Sequence, residues 1–554
     1  MDQNPFFYLC LVGGLILLAL VLTIPPLFRE QVETEHLPDW RWGWLVIAIL
    51  AAGRWPSIFM PREINPDETQ MLAGAHALIY DPVFWRSVVG GTAGPLNFFV
   101  LWPAGWIFGW DSYLTARLTA LSLLGISLIF THQCVALILG RKVARVAGLA
   151  VVCLEALTNA PDLLHYSTEL LSITLLSVTA YAAIRRWAYQ GGLIWNGLGG
   201  LLLGAIPFSK IQAVPLAACA GVGWLFAEFI FRGKDANRRR LYLFVGAILP
   251  AIAFTCQLTA ADEWQSFIIT YIVSNFQYSG QINFSLPQLL VEHLRGFVGQ
   301  DSLLELLLPM SAIWILLMLR VKKIANQTAR IFFWLSFAVF IVAQFCVIYA
   351  WHPYIHYWQL MIVPLTFLFG AVVGNLLAAS PQSWRNVDRL LVAGGAITMV
   401  AALFFHRAEI PNDYIAYNAV LSQKRYSSPH VKLVECIKSR ARPGDSIAIW
   451  GWAQSFFVET GLRQATRYPN FMGLVVEGPH REYYCKCFFF DFLNSNPAFF
   501  LDSTGPQNSN WKDPGLAHER MFPSLATLVR DNYVLIDVVD GARLYQRHDL
   551  LTGK

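Results

Sequence analysis

The sequence predicts a polytopic α-helical membrane protein with a small α/β domain at its C-terminal end. Three observations carry this expectation. Of 554 residues, 56% are hydrophobic and only 14% are charged, whereas soluble domains carry about a quarter charged residues. Several apolar runs reach the roughly 20 residues that a membrane-spanning helix needs. From His406 onward the composition returns to that of an ordinary soluble domain. The chain also holds 20 Trp, 20 Tyr and 38 Phe, as expected where rings settle at lipid–water boundaries.

About twelve runs of spanning length can be marked, at 6–28, 42–60, 113–139, 143–160, 167–187, 193–207, 211–231, 241–258, 303–319, 331–350, 358–379 and 390–405. The first lacks a basic leader and a small-residue cleavage site, so it reads as an anchor and not as a removed signal peptide. The run PLNFFVLWPAGWIFGW at 95–110 is apolar but short. Charge placement decides how to read it. Basic clusters occur at Arg141/Lys142/Arg145, Arg185/Arg186, 231–240, 320–323 and Arg385/Arg389. All fall on one side if 95–110 lies in the interface; counting it as a span would bring the loop of Asp67 and Glu68 to that same side. It is therefore read as interfacial. The opposite, poorly basic side receives INPDE, APDLLHYSTE, the loop 259–301, WHPYIHYW and the C-terminal tail. The formal net charge of +5 says little until it is mapped in this way.

In the tail, HVKLVECIKSRA puts Val431, Val434 and Ile437 on one helical face, and Pro443, Gly444 and Asp445 form a turn. SIAIWGW and AFFLD read as buried strands, and FPSLATLVR as a helix with Pro523 near its start. YVLIDVVDGARLYQR reads as a strand, an Asp540–Gly541 turn and a strand. The expected division is a transmembrane part, 1–405, with outer loops 61–112 and 259–301, and a soluble extracytoplasmic α/β domain, 406–554. No glycine-rich phosphate loop occurs, so no nucleotide is assigned. Of nine cysteines, Cys10, Cys134, Cys153, Cys219, Cys256 and Cys346 lie in apolar runs and read as packing residues. Cys436, Cys485 and Cys487 lie in the polar tail and allow one disulfide if that tail is extracytoplasmic. CKC alone lacks the four ligands of a structural zinc site.

Five stretches could carry chemistry. In EINPDETQM, Asn65 suits an N-cap, Pro66 the first helical position and Glu68 the capping-box position. A cap explains Glu68 better than Asp67; the other reading is a catalytic carboxylate at the membrane surface, and a capped helix is a rigid way to hold one. In DLLHYSTELL, Asp162, His165 and Glu169 precede or open a span. They read as a solvated loop or as a site, with His165 and Glu169 on one face if the helix starts early; Glu169 sits deeper. In FSKIQAVP, Lys210 lies in a tight turn on the poorly basic side, as a snorkelling residue or a phosphate ligand. In WHPYIHYWQL, an aromatic belt explains Tyr357 and Trp358 better than it explains His352 and His356. Imidazoles bind metals, but two do not make a site. In the loop 259–301, Phe267, Tyr271, Asn275 and Tyr278 recur at helical spacing, as a surface-lying amphipathic helix or the border of a lipid-sized groove. Their gathering on one face says more than any member, because unrelated polar residues would scatter over both.

In order along the chain, these features resemble the GT-C superfamily of polytopic glycosyltransferases, and within it the branch of protein O-mannosyltransferases and lipid A aminoarabinose transferases. NPDE is similar to that branch's Asp–Glu pair in the first outer loop. GTAGPLNFFVLWP and Arg117 in LTARLTALSLLG resemble its Gly–Pro-Leu segment and the Arg opening the next span. PDLLHYSTE resembles its second acidic loop, the Lys210 turn its Thr–Lys turn with Ser209 in place of Thr, and IHYWQLMIVPL its His–Tyr motif. The tail PGDSIAIWGWAQSFFVETGLRQATRYPN resembles tails of bacterial members. The chain departs in an additional N-terminal span, and the lack of a WWDYG-type motif argues against an oligosaccharyltransferase.

The resemblance implies an enzyme of the bacterial inner membrane with its site on the extracytoplasmic side. The donor would be a polyprenyl-phosphate sugar, and the acceptor a glycan, lipid or protein. Asp67 would be the general base of an inverting displacement, and Glu68 would hold Asp67 or the acceptor. Arg117, Lys210, His356 and Tyr357 would meet the leaving lipid phosphate. Asp162, His165, Glu169 and Tyr278 would bind the sugar or acceptor. No cofactor is required, a divalent metal is optional, and no nucleic acid is involved. A transporter or lipid flippase with an extracytoplasmic binding domain is the competing class. It would show polar or broken spans and internal repeats, whereas these spans are mostly apolar and no repeat is found. A membrane-anchored assembly protein working through its tail would tolerate change in the outer loops.

Overall fold

The computed structural model describes residues 11–19, 38–158, 160–187, 192–230, 235–280, 285–298, 327–349, 352, 354–378, 429–469, 472–506, 508 and 511–551. The expected spans 303–319 and 390–405, most of 6–28, the basic clusters at 320–323 and Arg385/Arg389, and the expected division at 405/406 lie outside them. Five helical segments among the described residues are long and apolar enough to cross a membrane: Tyr113–Leu139, Ile211–Ile230, Ala236–Ala261, Arg330–Tyr349 and Ile355–Gly374. Trp40–Gly53 and Ile194–Phe208 are apolar but shorter. The run 95–110 forms two short helices, Leu96–Phe99 and Trp102–Phe108. At about 1.5 Å per residue it falls well short of a hydrocarbon core of roughly 30 Å.

The chain packs as two units, each discontinuous in sequence. The first takes Met1–Ile58, Ala120–Phe254 and Tyr278–Asn418. Its helices meet where glycines remove the side chain. A Cβ at Gly200 would lie 2.0 Å from the Leu243 carbonyl oxygen, and one at Gly204 2.0 Å from that of Ala247. The G-x-x-x-G spacing thus brings the backbones of the helices Ile194–Ala205 and Ala236–Ala261 into contact, as small residues do between membrane helices. Gly53 does the same beside Ala156, and a buried ion pair between Arg54 and Glu155 at 2.8 Å closes that contact.

The second unit takes Phe59–Thr119, Thr255–Gln277 and Ala419–Lys554. Its centre is a five-stranded sheet of order β2-β1-β3-β5-β4, with β1 Ser446–Trp450, β2 Arg463–Gln464, β3 Phe499–Asp502, β4 Tyr533–Val539 and β5 Ala542–Arg547. β1 runs parallel to β2 and β3, and β5 antiparallel to β3 and β4. The expected strands, the helices Pro429–Lys438 and Pro523–Asn532, and the hairpin are all present. Asp540 and Gly541 take φ of +50° and +88°, as a two-residue turn matched to strand twist requires. Alternation along β1 sorts the core onto two faces. Ala448 and Trp450 join Phe488, Phe492, Phe500 and Trp511, while Ile447 and Ile449 join Leu433, Ile437, Phe457 and Leu501.

Two segments remote in sequence complete these cores. Ala73, from the helix Pro66–Tyr80, packs in the second cluster and Val89 in the first. Arg467 ties the three parts together. It pairs with Asp491 at 2.9 Å, donates to the Trp85 carbonyl at 3.1 Å and lies 3.6 Å from Glu263. Of the loop 259–301, read as a surface-lying amphipathic helix or the border of a groove, the stretch 259–277 is built into this unit. Its helix Trp264–Phe267 passes into a π-helical stretch, Ile268–Val273, and Phe267 and the buried Tyr271 pack on the Trp85 ring. Cys436, Cys485 and Cys487 are free thiols, so the disulfide allowed by the sequence is not formed.

Candidate functional site

Of the ten site residues expected from the sequence, three lie in the second unit and seven in the first. In the second unit, Asn65 caps the helix Pro66–Tyr80. Its side-chain oxygen accepts from the Asp67 backbone N–H at 2.9 Å, and Pro66 takes the first position. This is the cap that the motif predicts, with one shift. Glu68 reaches back to the N–H of Ile64, at 2.8 Å, and not to that of the cap residue. Fully buried, it also holds Arg117, whose Nη2 and Nε donate to its two oxygens at 2.9 and 3.2 Å. The rest of the guanidinium donates to the carbonyls of Met60 and Arg62. Arg117 is thus enclosed by the turn that it fixes, and Glu68 is spent on the same turn. Asp67 differs from both. It is half-buried, and its carboxylate makes no hydrogen bond among the described residues.

Glu63 sits beneath this turn and escaped the sequence reading. Its carboxyl lies 2.6 Å from the Thr69 hydroxyl, which lies 2.7 Å from the Pro66 carbonyl. The Thr69 hydroxyl is the donor in both contacts, its one proton shared between the Glu63 carboxylate and the Pro66 carbonyl. Burial pushes the Glu63 pKa up to about 7, the bond from Thr69 opposes this, and the charges of Glu68 and Glu459 add to it. Glu459 in turn accepts from the Tyr113 hydroxyl at 3.0 Å and pairs with His430 at 2.9 Å.

In the first unit, the seven other residues come together. Lys210, held in extended backbone between two short 3-10 turns, is buried. Its ammonium pairs with Glu169 at 2.5 Å, donates to Thr168 at 2.6 Å and lies 4.9 Å above the Tyr357 ring. Thr168 and Glu169 open the helix Thr168–Trp187, where a carboxylate is also favoured by the helix dipole. The Tyr357 hydroxyl is 3.3 Å from that of Tyr278. His356 pairs with Asp162 at 3.3 Å, and the His165 ring meets the His356 ring edge-on at 5.8 Å. At Asp162, burial raises the pKa, but the hydrogen bond from His356 and the charges of His356 and His165 outweigh it, to about 2.

His165 and Glu169 do not share a helical face. The helix starts at Thr168, and His165 follows the separate turn Pro161–Leu164. His165 Nδ1 lies 3.0 Å from the Pro161 carbonyl. That nitrogen donates to the carbonyl, and Nε2 is buried without a hydrogen-bond partner among the described residues. His352 does not join His356 directly. The rings of Tyr278, His352, Tyr354 and His356 stack in that order, with centroids 3.9, 5.6 and 5.5 Å apart. Thr168 was missed in the sequence because a Thr beside a span carries no signal until a lysine meets it.

No family model and no curated protein sequence matches the chain. Solved structures do. ArnT from Cupriavidus metallidurans bound to undecaprenyl phosphate superposes with a TM-score of 0.54 at 13% identity, over 92% of this chain and 99% of that one. The same protein in the apo state gives 0.50 at 14% identity, over 93% and 100%. At such identity the likeness shows the fold, which is the GT-C glycosyltransferase fold that the sequence led us to expect.

Proposed function

We propose that this chain, which carries the GT-C fold, is an integral membrane glycosyltransferase. It moves a sugar from a polyprenyl-phosphate carrier to an acceptor on the extracytoplasmic side of a bacterial inner membrane. The observation that carries this reading is the assembly around Lys210. A buried ammonium with two oxygen partners, hydroxyls from Tyr278 and Tyr357, and two imidazoles converge in one place. That set suits a phosphate and a polyol together. The solved ArnT structure bound to undecaprenyl phosphate supports a lipid carrier of that class.

In the proposed reaction, Asp67 takes the proton of an acceptor hydroxyl or amine. The freed electron pair attacks the anomeric carbon with inversion, and the bond from that carbon to the phosphate oxygen breaks. The carrier leaves as polyprenyl phosphate. Asp67 suits the base role because its carboxylate is uncommitted while its backbone is fixed by Asn65. Lys210, His356 and Tyr357 offset the charge that develops on the leaving phosphate. His165 Nε2, buried without a hydrogen-bond partner among the described residues, meets a sugar or acceptor hydroxyl, and Asp162, Glu169 and Tyr278 orient the groups around it. Arg117 and Glu68 read as positioning residues in this scheme, Glu68 by holding Asp67 in place and Arg117 by pairing with Glu68. They brace the Asp67 turn, since neither has a free group to offer a substrate. The displacement has a phosphate leaving group and needs no metal.

The test uses the full chain in lipid nanodiscs with radiolabelled polyprenyl-phosphate sugars and cell-envelope acceptors. Release of label from the carrier is measured. Asp67→Asn should lower transfer by about 10²–10⁴-fold, the usual worth of a general base, while keeping carrier binding. Transfer by that variant at the wild-type rate would sink the mechanism.

A further inference from the structure

A cluster of charged side chains lies in the first unit outside the proposed site. The C-terminal end of the helix Thr168–Trp187 carries Arg185 and Arg186, and the first turns of Ala236–Ala261 carry Arg239 and Arg240. Between them lie Asn196, near the start of Ile194–Ala205, and Glu228, near the end of Val214–Ile230. Glu228 is fully buried. It accepts from Arg239 at 2.7 Å and from Asn196 at 2.9 Å, and lies 3.5 Å from Arg186. Aromatic rings hold the other cations in place: Arg185 lies 5.9 Å from the Trp195 ring centroid and Arg240 4.2 Å from that of Phe229.

Three features make this an incomplete charge cluster. Glu228 is one carboxylate shared by Arg186 and Arg239, and the nearby Asp235 is turned to Arg238. The Nε atoms of Arg186 and Arg240 are buried without a hydrogen-bond partner. Arg239 and Arg240 also sit at a helix start, where the dipole is already positive and cations are disfavoured. Each feature asks for an anion rich in acceptor oxygens, and guanidinium groups pair best with phosphate. The surroundings identify its source. Phe226, Phe229, Leu241 and Phe244 flank the cluster on the same helices and are 64%, 53%, 57% and 61% exposed. An apolar surface of that kind is covered by acyl chains.

We propose that the arginine-lined ends of these four helices bind the phosphate headgroup of an anionic phospholipid. The Asn196–Glu228 bond closes one end of the pair formed by the helices 194–205 and 214–230, and Lys210 lies in the link at their other end. The lipid site is therefore separate from the proposed carrier site, on the opposite membrane face. Basic pockets between membrane helices hold anionic headgroups in this manner.

The test compares the full-length protein in nanodiscs of phosphatidylcholine and of phosphatidylcholine with phosphatidylglycerol. Bound lipid is counted by native mass spectrometry, and stability by thermal unfolding. The wild type should retain phosphatidylglycerol and melt higher in its presence. Arg240→Gln, which breaks no ion pair among the described residues, should bind it about fivefold more weakly, and Arg186→Gln/Arg240→Gln weaker still. Arg240→Lys should bind better than Arg240→Gln. The proposal is overturned if the Arg240→Gln variant keeps wild-type lipid retention. It is also overturned if the wild type retains no phosphatidylglycerol, or if inorganic phosphate in pure phosphatidylcholine reproduces the whole gain, which would make the ligand a free anion.

Discussion

Arg117→Gln separates a brace from a phosphate ligand. The Arg117 and Glu68 side chains are 1% and 0% exposed. Removing the guanidinium leaves a buried carboxylate whose remaining donor is the Ile64 N–H, and takes a donor from the carbonyls of Met60 and Arg62. Breaking a buried pair from one side costs about 3–5 kcal/mol, because the other charge stays behind. For a unit of about 200 residues each kcal/mol lowers the melting temperature by roughly 2–4 °C, so a fall of about 10 °C is expected. The companion variant Glu68→Gln/Arg117→Gln removes both charges and should recover much of that loss. The assay is thermal unfolding of the full chain, with polyprenyl-phosphate binding measured on the same preparations. The brace is refuted if Arg117→Gln melts with the wild type while binding the carrier roughly tenfold more weakly. That outcome would restore the phosphate contact that the sequence suggested.

Other perturbations test other parts. Lys210→Met leaves Glu169 buried and uncompensated, so it should cost about 3–5 kcal/mol, and Glu169→Gln in the same chain should return part of it; equal melting of both single variants and the wild type would remove the pair from the account. Glu63 carries a pH signature. Its folded pKa of about 7 lies above its ordinary 4.5, so its contribution is complete below pH 4.5 and is lost as pH rises through 7. Over that window the wild type should lose at most about 3 kcal/mol relative to Glu63→Gln, and less because the side chain keeps some solvent contact; parallel stability–pH curves for the two proteins would contradict the assignment. Gly204→Val should separate the helices that meet at Ala247, seen as loss of the folded protein on size-exclusion in detergent. Transfer should continue in excess EDTA, and its abolition there would make a metal essential.

Much of the site was legible because its signals are local. Asn65, Pro66 and Glu68 spell a cap within four residues, and the cap forms because each supplies what the first helical turn lacks. The strands of the sheet were legible from alternation and from the Asp540–Gly541 turn. Less was legible wherever a role depends on a partner. The family resemblance offered Arg117 as a phosphate ligand, and no short stretch could show its pairing with Glu68, 49 positions away. Glu63 drew no attention because its raised proton affinity comes from burial, with the charges of Glu68 and Glu459 adding to it, and burial is set by the tertiary packing.

The sequence by itself determined the membrane class, five helical spans among the described residues and the turn that presents Asp67, since apolar run length, charge placement and cap residues act over one or two helical turns. The tertiary structure alone decided that the helix behind Asp67 rests on a sheet whose first strand begins at Ser446. It alone decided that Lys210 meets Glu169, Thr168 and Tyr357. Such contacts arise where chain segments remote in sequence bury apolar surface together, and that burial depends on complementary faces that no short stretch contains.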